Sequence, residues 1–432
     1  MRPQRLLLSF LALCPLLLGT TSARSTVALV PLDGGQAAVQ GVHVLAMAMS
    51  PDGALYAGGR DTYDPRTPDQ PNPYGLGSVF MVSRDHGAHW TKRVTREPSP
   101  GYVAHYPPWT DHTRWPANFS VSQLVVDPHR PATLYAAGGF PFSRAVRGPN
   151  HLLLRSTDAG QTWTEILVRH INLASRPPLF TNIVVTPANR QDLTYRHIYN
   201  VLGFAVDPHD TRHLYAGTDA LGVLRSTDGG ATWQYNPASP GAANHVTEQL
   251  VLDPQRPATV YVLVQDTTQT FLYRSDDSGS HWQKLWQGGF ASGVFLEFGS
   301  LYMVRADGVF ATRDRGLHWH LALDPRNVPG YVTPGAAGTI LQALHDQQTG
   351  LWMIVTDISG AADPFSLFAT SNNGSTWRLL THGDREIGKG LALAIQDMNY
   401  GYKRMWFHDH GKPLILFTAS DQDRLYRWKV SP

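Results

Sequence analysis

The chain holds 432 residues, 42% of them hydrophobic, enough for one large repeat domain or two ordinary ones. Its formal charge is +2, and setting aside Arg2 and Arg5 of the leader described below leaves 34 basic against 34 acidic residues. With no basic block and no nucleic-acid-binding motif, a nucleic-acid partner is excluded as an expectation, and the single cysteine, Cys14, excludes disulfides, thiolate metal sites and a thiol nucleophile from residues 24–432.

Residues 1–23 read as a secretory signal. Arg2 and Arg5 supply the charged start, Leu6 to Leu18 the apolar run, and Thr21-Ser22-Ala23 a small-residue cleavage site. The run is too short for a good membrane span, and no later stretch approaches 18 apolar residues. The expectation is a secreted or periplasmic protein, cleaved near Ala23, with residues 24–432 forming one domain and acting as a monomer.

From residue 44 onward the same unit returns. An apolar run ends at a proline turn and is followed by a Leu-Tyr or Val-Tyr strand, as in Leu124-Val125-Val126-Asp127-Pro128 leading to Leu134-Tyr135-Ala136. Phe204-Ala205-Val206-Asp207-Pro208 with Leu214-Tyr215, and Leu250-Val251-Leu252-Asp253-Pro254 with Val260-Tyr261, are further copies. Short β-branched and apolar runs separated by Asp-Pro and Gly turns predict strands in a hairpin series.

Each third strand runs into an octapeptide, hydroxyl-x-Asp/Asn-x-Gly-x-x-Trp. Ser156-Thr157-Asp158-Ala159-Gly160-Gln161-Thr162-Trp163 recurs almost unchanged at 226–233. The six copies place Asp85, Asp158, Asp228, Asp277, Asp314 and Asn372 at the third position and Trp90, Trp163, Trp233, Trp282, Trp319 and Trp377 at the eighth. The acid can accept backbone N–H groups ahead of it, the Gly supplies a positive φ, and the Trp opens the next strand and buries its ring against a neighbouring unit. These six acids are therefore expected to be structural.

The octapeptide resembles the Asp-box, or bacterial neuraminidase repeat, found in sialidases, xyloglucan-degrading propellers, sortilin-type receptors and photosystem II assembly-factor propellers. The resemblance implies an all-β fold, a single β-propeller, and leaves the chemistry open because those families share the turn and not a reaction. Innermost strands starting near 44, 121, 201, 248, 292, 339 and 391 give seven four-stranded blades in preference to six or eight. The last blade has no box. Its strands are expected at 391–395, 414–418 and 425–430, with the N-terminal strand 26–32 supplying the fourth and closing the ring.

Long insertions follow the second strand (60–78, 140–150) or the fourth (94–120, 167–200), which places them on one elaborated face. The segment 398–411 alone is expected to break that rule. Residues unique to one unit are better functional candidates than recurring ones. Arg60, Tyr102, Tyr106, Trp109, Asp111, Arg114 and Trp115 are unique, and their rings and polar groups suit stacking on a sugar or gripping a protein; packing of the loop onto its own face is the alternative. The recurring acids Asp61, Asp219, Asp266, Asp307, Asp357 and Asp421 read as turn caps, with Asp61 as the exception because it opens a unique insertion. His408-Asp409-His410 is too sparse for a metal site, and no metal or cofactor is expected.

Two functions fit. The favoured one is a secreted, non-catalytic scaffold presenting its loop face to a protein or glycan, similar to the assembly-factor propellers. The alternative is a glycoside hydrolase, sialidase-like or xyloglucanase-like, using carboxylates among Asp61, Asp64, Asp111 and Asp192. The early Arg-Ile-Pro of sialidases is absent, Leu29-Val30-Pro31 standing there instead. Xyloglucanase-like enzymes set two propellers across a cleft, and this length accounts for one.

Overall fold

A computed structural model describes residues 28–33, 38–61, 77–96, 119–139, 152–167, 180–195, 198, 200–242, 245–297, 299–328, 339–346, 349–357, 365–380, 405–408, 414–419 and 424–431. They form seven antiparallel sheets in a ring, a seven-bladed β-propeller. Blade 1 runs outward through Val42–Met49, Leu55–Asp61, Gly77–Ser83 and Thr91–Arg96. Blades 2 to 6 repeat the pattern from innermost strands Ser120–Val126, Val201–Val206, Val246–Leu252, Ala291–Glu297 and Thr339–Asp346. The one α-helix among the described residues, Arg190–Tyr195, is a single short turn segment.

Blade 7 departs from the sequence expectation at one strand. Its innermost strand is Met405–His408, paired with Leu414–Ala419. The run 391–395, expected there, lies outside the described residues. The apolar run carried the signal the other inner strands share, but the ladder to the second strand is made by the later Met-Trp-Phe-His segment. Of the segment 398–411, expected to break the one-face rule, residues 405–408 are this strand and the others lie outside the described residues. Closure is as expected: Ala28–Pro31 pairs antiparallel with the last strand, Arg424–Ser431, and Val39–Gln40 pairs with the same strand further along.

A sheet of apolar residues on both faces must bury both, and the ring does this with seven clusters, one per blade interface. Leu45, Tyr56 and Phe80 of blade 1 meet Val121, Leu134 and Trp163 of blade 2. The recurring tyrosines Tyr135, Tyr215 and Tyr261 lie at the following interfaces. Blade 7 closes on blade 1 through Phe417 and Leu425 against Val44 and Leu55.

The box turns follow the expected chemistry with one addition. Ser156 Oγ donates to Asp158 Oδ1 at 2.8 Å and accepts from Gly160 N at 2.8 Å, while Asp158 Oδ1 accepts from Thr162 N at 2.8 Å. In three boxes histidine takes the threonine's place, with His89, His281 and His318 Nδ1 each 2.6 Å from the box carboxylate. The addition is a second left-handed residue. The position before the Gly also has positive φ, at 57° in His86 and Ala159, 58° in Ser278, 63° in Arg315 and 51° in Asn373. Only the box at 226–233 uses glycine there, Gly229 at 73°.

Arginines join successive boxes. Arg93 Nη1 of blade 1 donates to Gly160 O at 2.6 Å, Arg155 Nη1 of blade 2 to Gly229 O at 2.9 Å, and Arg274 Nη1 of blade 4 to Arg315 O at 2.7 Å. The plain face is thus tied blade to blade by charge-assisted hydrogen bonds.

Candidate functional site

Inner strands end, and second strands begin, on the face that carries the boxes. The opposite face is therefore built from the starts of the innermost strands and the ends of the second strands, where the long insertions leave the ring. Asp61 ends the second strand of blade 1 there, its backbone paired with Val42 and Gly77. Arg60 precedes it on the same strand. Asp64, Tyr102, Tyr106, Trp109, Asp111, Arg114 and Trp115 lie outside the described residues, as do Asp409 and His410. Among the described residues no group of three or more His, Cys, Asp or Glu could hold a metal ion.

Asp192 sits elsewhere. It belongs to the short helix on the outer side of the ring and accepts a hydrogen bond from Tyr235 Oη at 2.8 Å. The segment leading to the helix is tied to blade 3: Val184 N donates to Trp233 O at 2.7 Å and Trp233 N to Asn182 O at 2.8 Å. Phe180, Ile183 and Leu193 are buried in the interface of blades 2 and 3. Part of what reads as an insertion is thus an outer buttress, and Asp192 serves it.

The recurring acids do what turn residues do. Asp266 accepts from Thr268 N and Gln269 N, both at 2.7 Å, and those two backbone bonds hold its carboxyl below the usual range. Asp307 is held by Arg305 through Nε at 2.8 Å and Nη2 at 2.6 Å. The same Arg305 lies 4.1 Å from the centroid of Phe310 and 5.2 Å from that of Trp286 on blade 4, a cation–π stack across the blade boundary. Asn200 Nδ2 donates to Asp219 Oδ2 at 3.4 Å.

The channel itself carries a feature that composition does not announce. In each of the first six blades the innermost strand has a β-bulge at the same level, with the extra residue being Leu45, Ser122, Leu202, Glu248, Ser292 or Leu341. The bulge turns the strand over. Thr247 before it packs on Gly217 of blade 3, whereas Gln249 after it reaches blade 5, where its Oε1 accepts from Val294 N at 2.8 Å. Val121 likewise packs on Gly58 of blade 1 while Gln123 Oε1 accepts from Phe204 N of blade 3 at 2.8 Å. The residue between them is left out of the ladder, on the strand that stands innermost in the ring.

Of the ring of bulge residues, Leu45 and Leu202 are closed off at 1% and 6% exposure, while Ser122, Glu248 and Ser292 are half-buried. Glu248 is enclosed by protein on nearly all sides though still reached through the channel, and that burial pushes its carboxyl up to about 8. Aligning the six inner strands position by position would have found it, because it is the one charged residue at that level.

No family model matches the chain. A xyloglucanase of Paenibacillus sp is 27% identical over 300 residues, which is 62% of this chain and 27% of that protein. Xyloglucanase Xgh74A of Acetivibrio thermocellus is 25% identical over 293 residues, 60% of this chain and 32% of that protein. The chain therefore spans about a quarter to a third of the length of these curated relatives. Among solved structures, the GH74 xyloglucanase from Xanthomonas campestris superposes with a TM-score of 0.54 at 19% identity, over 91% of this chain and 55% of that one. YCF48 bound to D1 peptide gives 0.50 at 13% identity, over 93% and 96%. Both structural likenesses establish the propeller fold and nothing finer.

Proposed function

We propose that this propeller acts on a plant-type glucan as a glycoside hydrolase of the xyloglucanase kind, with its acid and base on the loop-bearing face. The observation that carries this reading is the run of 300 residues at 27% identity to a xyloglucanase, shared with a second curated xyloglucanase. It reverses the preference that the residues alone support, in which a non-catalytic scaffold comes first. Asp61 is the leading carboxylate, because it stands at the edge of that face where a unique insertion opens; Asp64 and Asp111 follow it in the unique loops. The ring-bearing segment with Tyr102, Tyr106, Trp109, Arg114 and Trp115, together with Arg60, would line the sugar path, since pyranose faces stack on flat rings and their hydroxyls pair with charged groups. Asp192 drops out of the catalytic set, because its carboxylate serves the Tyr235 hydroxyl on the outer side.

A second reading keeps the glycan and removes the reaction. What favours it is that the recurring acids with described side chains, Asp219, Asp266 and Asp307, are each engaged by a neighbour of their own blade. A binding ring needs only the aromatic loops. The Asp-box lineage implied by the octapeptides and export by the 1–23 leader belong with both readings.

The deciding experiment incubates the protein with xyloglucan and with unsubstituted cello-oligosaccharides and follows reducing ends, with affinity electrophoresis in xyloglucan gels alongside. Turnover lost in Asp61→Ala or Asp111→Ala establishes the hydrolase. Retarded migration without turnover selects the binding ring. Neither turnover nor retardation, from folded protein, removes the glucan from both readings.

A further inference from the structure

We infer that the central channel holds a binding site for a small organic cation, a primary ammonium group seated on Glu248 between Leu202 and Ser292. The inference is independent of the glucan reading and uses none of its residues.

The argument starts from the bulge ring. Glu248 is the residue that the bulge leaves out of the ladder on the innermost strand of blade 4, between Thr247 and Gln249, which face opposite blades. Among the described residues, no hydrogen bond or ion pair reaches its carboxyl, and burial is the one influence acting on it. A carboxyl withdrawn from water without a partner costs stability, and a protein that keeps one has a group waiting for a ligand or a proton.

The ring around it specifies the ligand. The two serines that share its level have spent their protons: Ser122 Oγ donates to Val201 O at 2.7 Å and lies 3.1 Å from Ala137 O, and Ser292 Oγ donates to Ile340 O at 3.3 Å. Each hydroxyl keeps lone pairs that can still accept. An accessible surface made of acceptors and one carboxylate takes a donor-rich, positively charged group. One carboxylate compensates one charge, and no metal-ligating group of three residues exists among the described residues, which selects an organic monocation over a divalent metal. Leu202, buried at the same level of the neighbouring blade 3, offers an apolar side chain, which suits a short alkyl stem behind the ammonium.

Binding exchanges a proton for the ligand. With its carboxyl raised to about 8, Glu248 rests protonated at pH 7 and becomes the anion when the ammonium arrives. The flanking strands Val201–Val206 and Ala291–Glu297 bring no charged residue to this level, since Glu297 stands at the far end of its strand. On the strand's own blade His245 and Asp266 stand at the rim, 3.9 Å from each other, and no charged group acts on Glu248. Glu248 is therefore the group whose proton is released.

The test is calorimetric titration of the full chain with propylammonium chloride at pH 7 in two buffers of different ionisation enthalpy, with propanol as the neutral control. The expected result is saturable binding of the amine, release of close to one proton, and no binding of propanol. In Glu248→Gln, an isosteric change at an unpartnered group that leaves the fold intact, amine affinity falls at least about tenfold and the proton release vanishes. Ser292→Ala weakens binding less and keeps the proton release. Absence of saturable heat, amine binding unchanged in Glu248→Gln, or equal binding of propanol each overturns the site.

Discussion

Arg427 grips Asp33 across 394 positions of sequence, with Nη2 2.6 Å from Oδ1 and Nε 3.1 Å from Oδ2. The same guanidinium donates through Nη1 to His86 O at 3.0 Å, in the box of blade 1. One side chain thus ties the N-terminal strand to the last blade and the last blade to the first, at the joint where the ring closes. Both side chains are mostly buried, so the pair is screened less than a surface ion pair. Asp33→Asn and Arg427→Met are each expected to destabilise by about 1–3 kcal/mol, with the double variant well short of their sum. A double-mutant cycle by urea unfolding checks it; additive losses would show that the two residues act separately.

The two left-handed positions of a box respond oppositely to substitution. A Cβ on Gly160 would stand 2.2 Å from the ring of Phe80 in blade 1, on top of the strain of φ 81°. Gly160→Ala is expected to cost about 2–4 kcal/mol, because the neighbour is a fully buried ring and cannot withdraw. Ala159, one position earlier, already carries a Cβ at φ 57°, a conformation that costs an L-residue about 1 kcal/mol. Ala159→Gly should therefore raise the melting temperature, and glycine is what the next box has at that position, Gly229. Thermal unfolding of the two single variants decides it, and a stabilising Gly160→Ala would contradict the packing argument.

Most of this architecture is written locally, which is why the sequence predicts it. The hydrogen bonds that shape the box turn lie within five residues, from Ser156 to Gly160 and from Asp158 to Thr162, so its spacing survives in the letters. The closing strand is equally readable, because a last blade that lacks a box needs an outer strand from somewhere. Met405–His408 was not readable, since a short run becomes an inner strand only by pairing with Leu414–Ala419, while the more apolar 391–395 carries the local signal. Glu248 was hidden for a different reason. In Val246-Thr247-Glu248-Gln249-Leu250 taken alone it looks like a solvated member of an alternating strand, and the bulge that sets it apart is a relation to the partner strand, visible in the letters only when the blades are compared. Asp192 looked catalytic by being unique and acidic, and its Tyr235 partner is 43 positions away.

The interface of blades 5 and 6 packs Tyr302 of blade 5 with Trp352 of blade 6, and it carries a largely buried histidine–glutamate pair. His345 Nδ1 lies 2.5 Å from Glu297 Oε2, and the imidazole stacks on Trp352 at 4.0 Å between ring centroids. Positions equivalent to His345 in blades 2 to 4 hold Val126, Val206 and Leu252, and those equivalent to Glu297 hold Asp127, Asp207 and Asp253. Removing one partner strands the other, so Glu297→Leu alone is expected to cost about 3 kcal/mol. Adding His345→Leu should recover much of that loss, since no polar partner is then left buried and unpaired. Urea unfolding of the two singles and the double tests this; a double variant worse than either single would mean that the pair contributes net stability.

Acid stability should be set in part by the boxes. Burial raises the Asp277 carboxyl, but the His281 backbone N–H, the His281 ring and Ser275 outweigh it and hold the group at about 2. Asp85 and Asp314 are lowered by the same contacts from His89 and His318. A carboxyl whose folded value lies below its unfolded value near 4 binds more protons when unfolded. Its contribution is complete above about pH 4 and is lost as pH falls toward about 2. The box at Asn372 uses an amide in the same geometry, with Nδ2 donating to Thr376 Oγ1 at 2.9 Å, and has no proton to take up. Converting Asp277 to Asn, with His281→Thr to restore the amide's acceptor, is expected to leave stability at pH 7 nearly unchanged and to flatten its decline between pH 4 and pH 2. Urea midpoints across that range measure the slope, and an unchanged slope would place acid sensitivity outside this box.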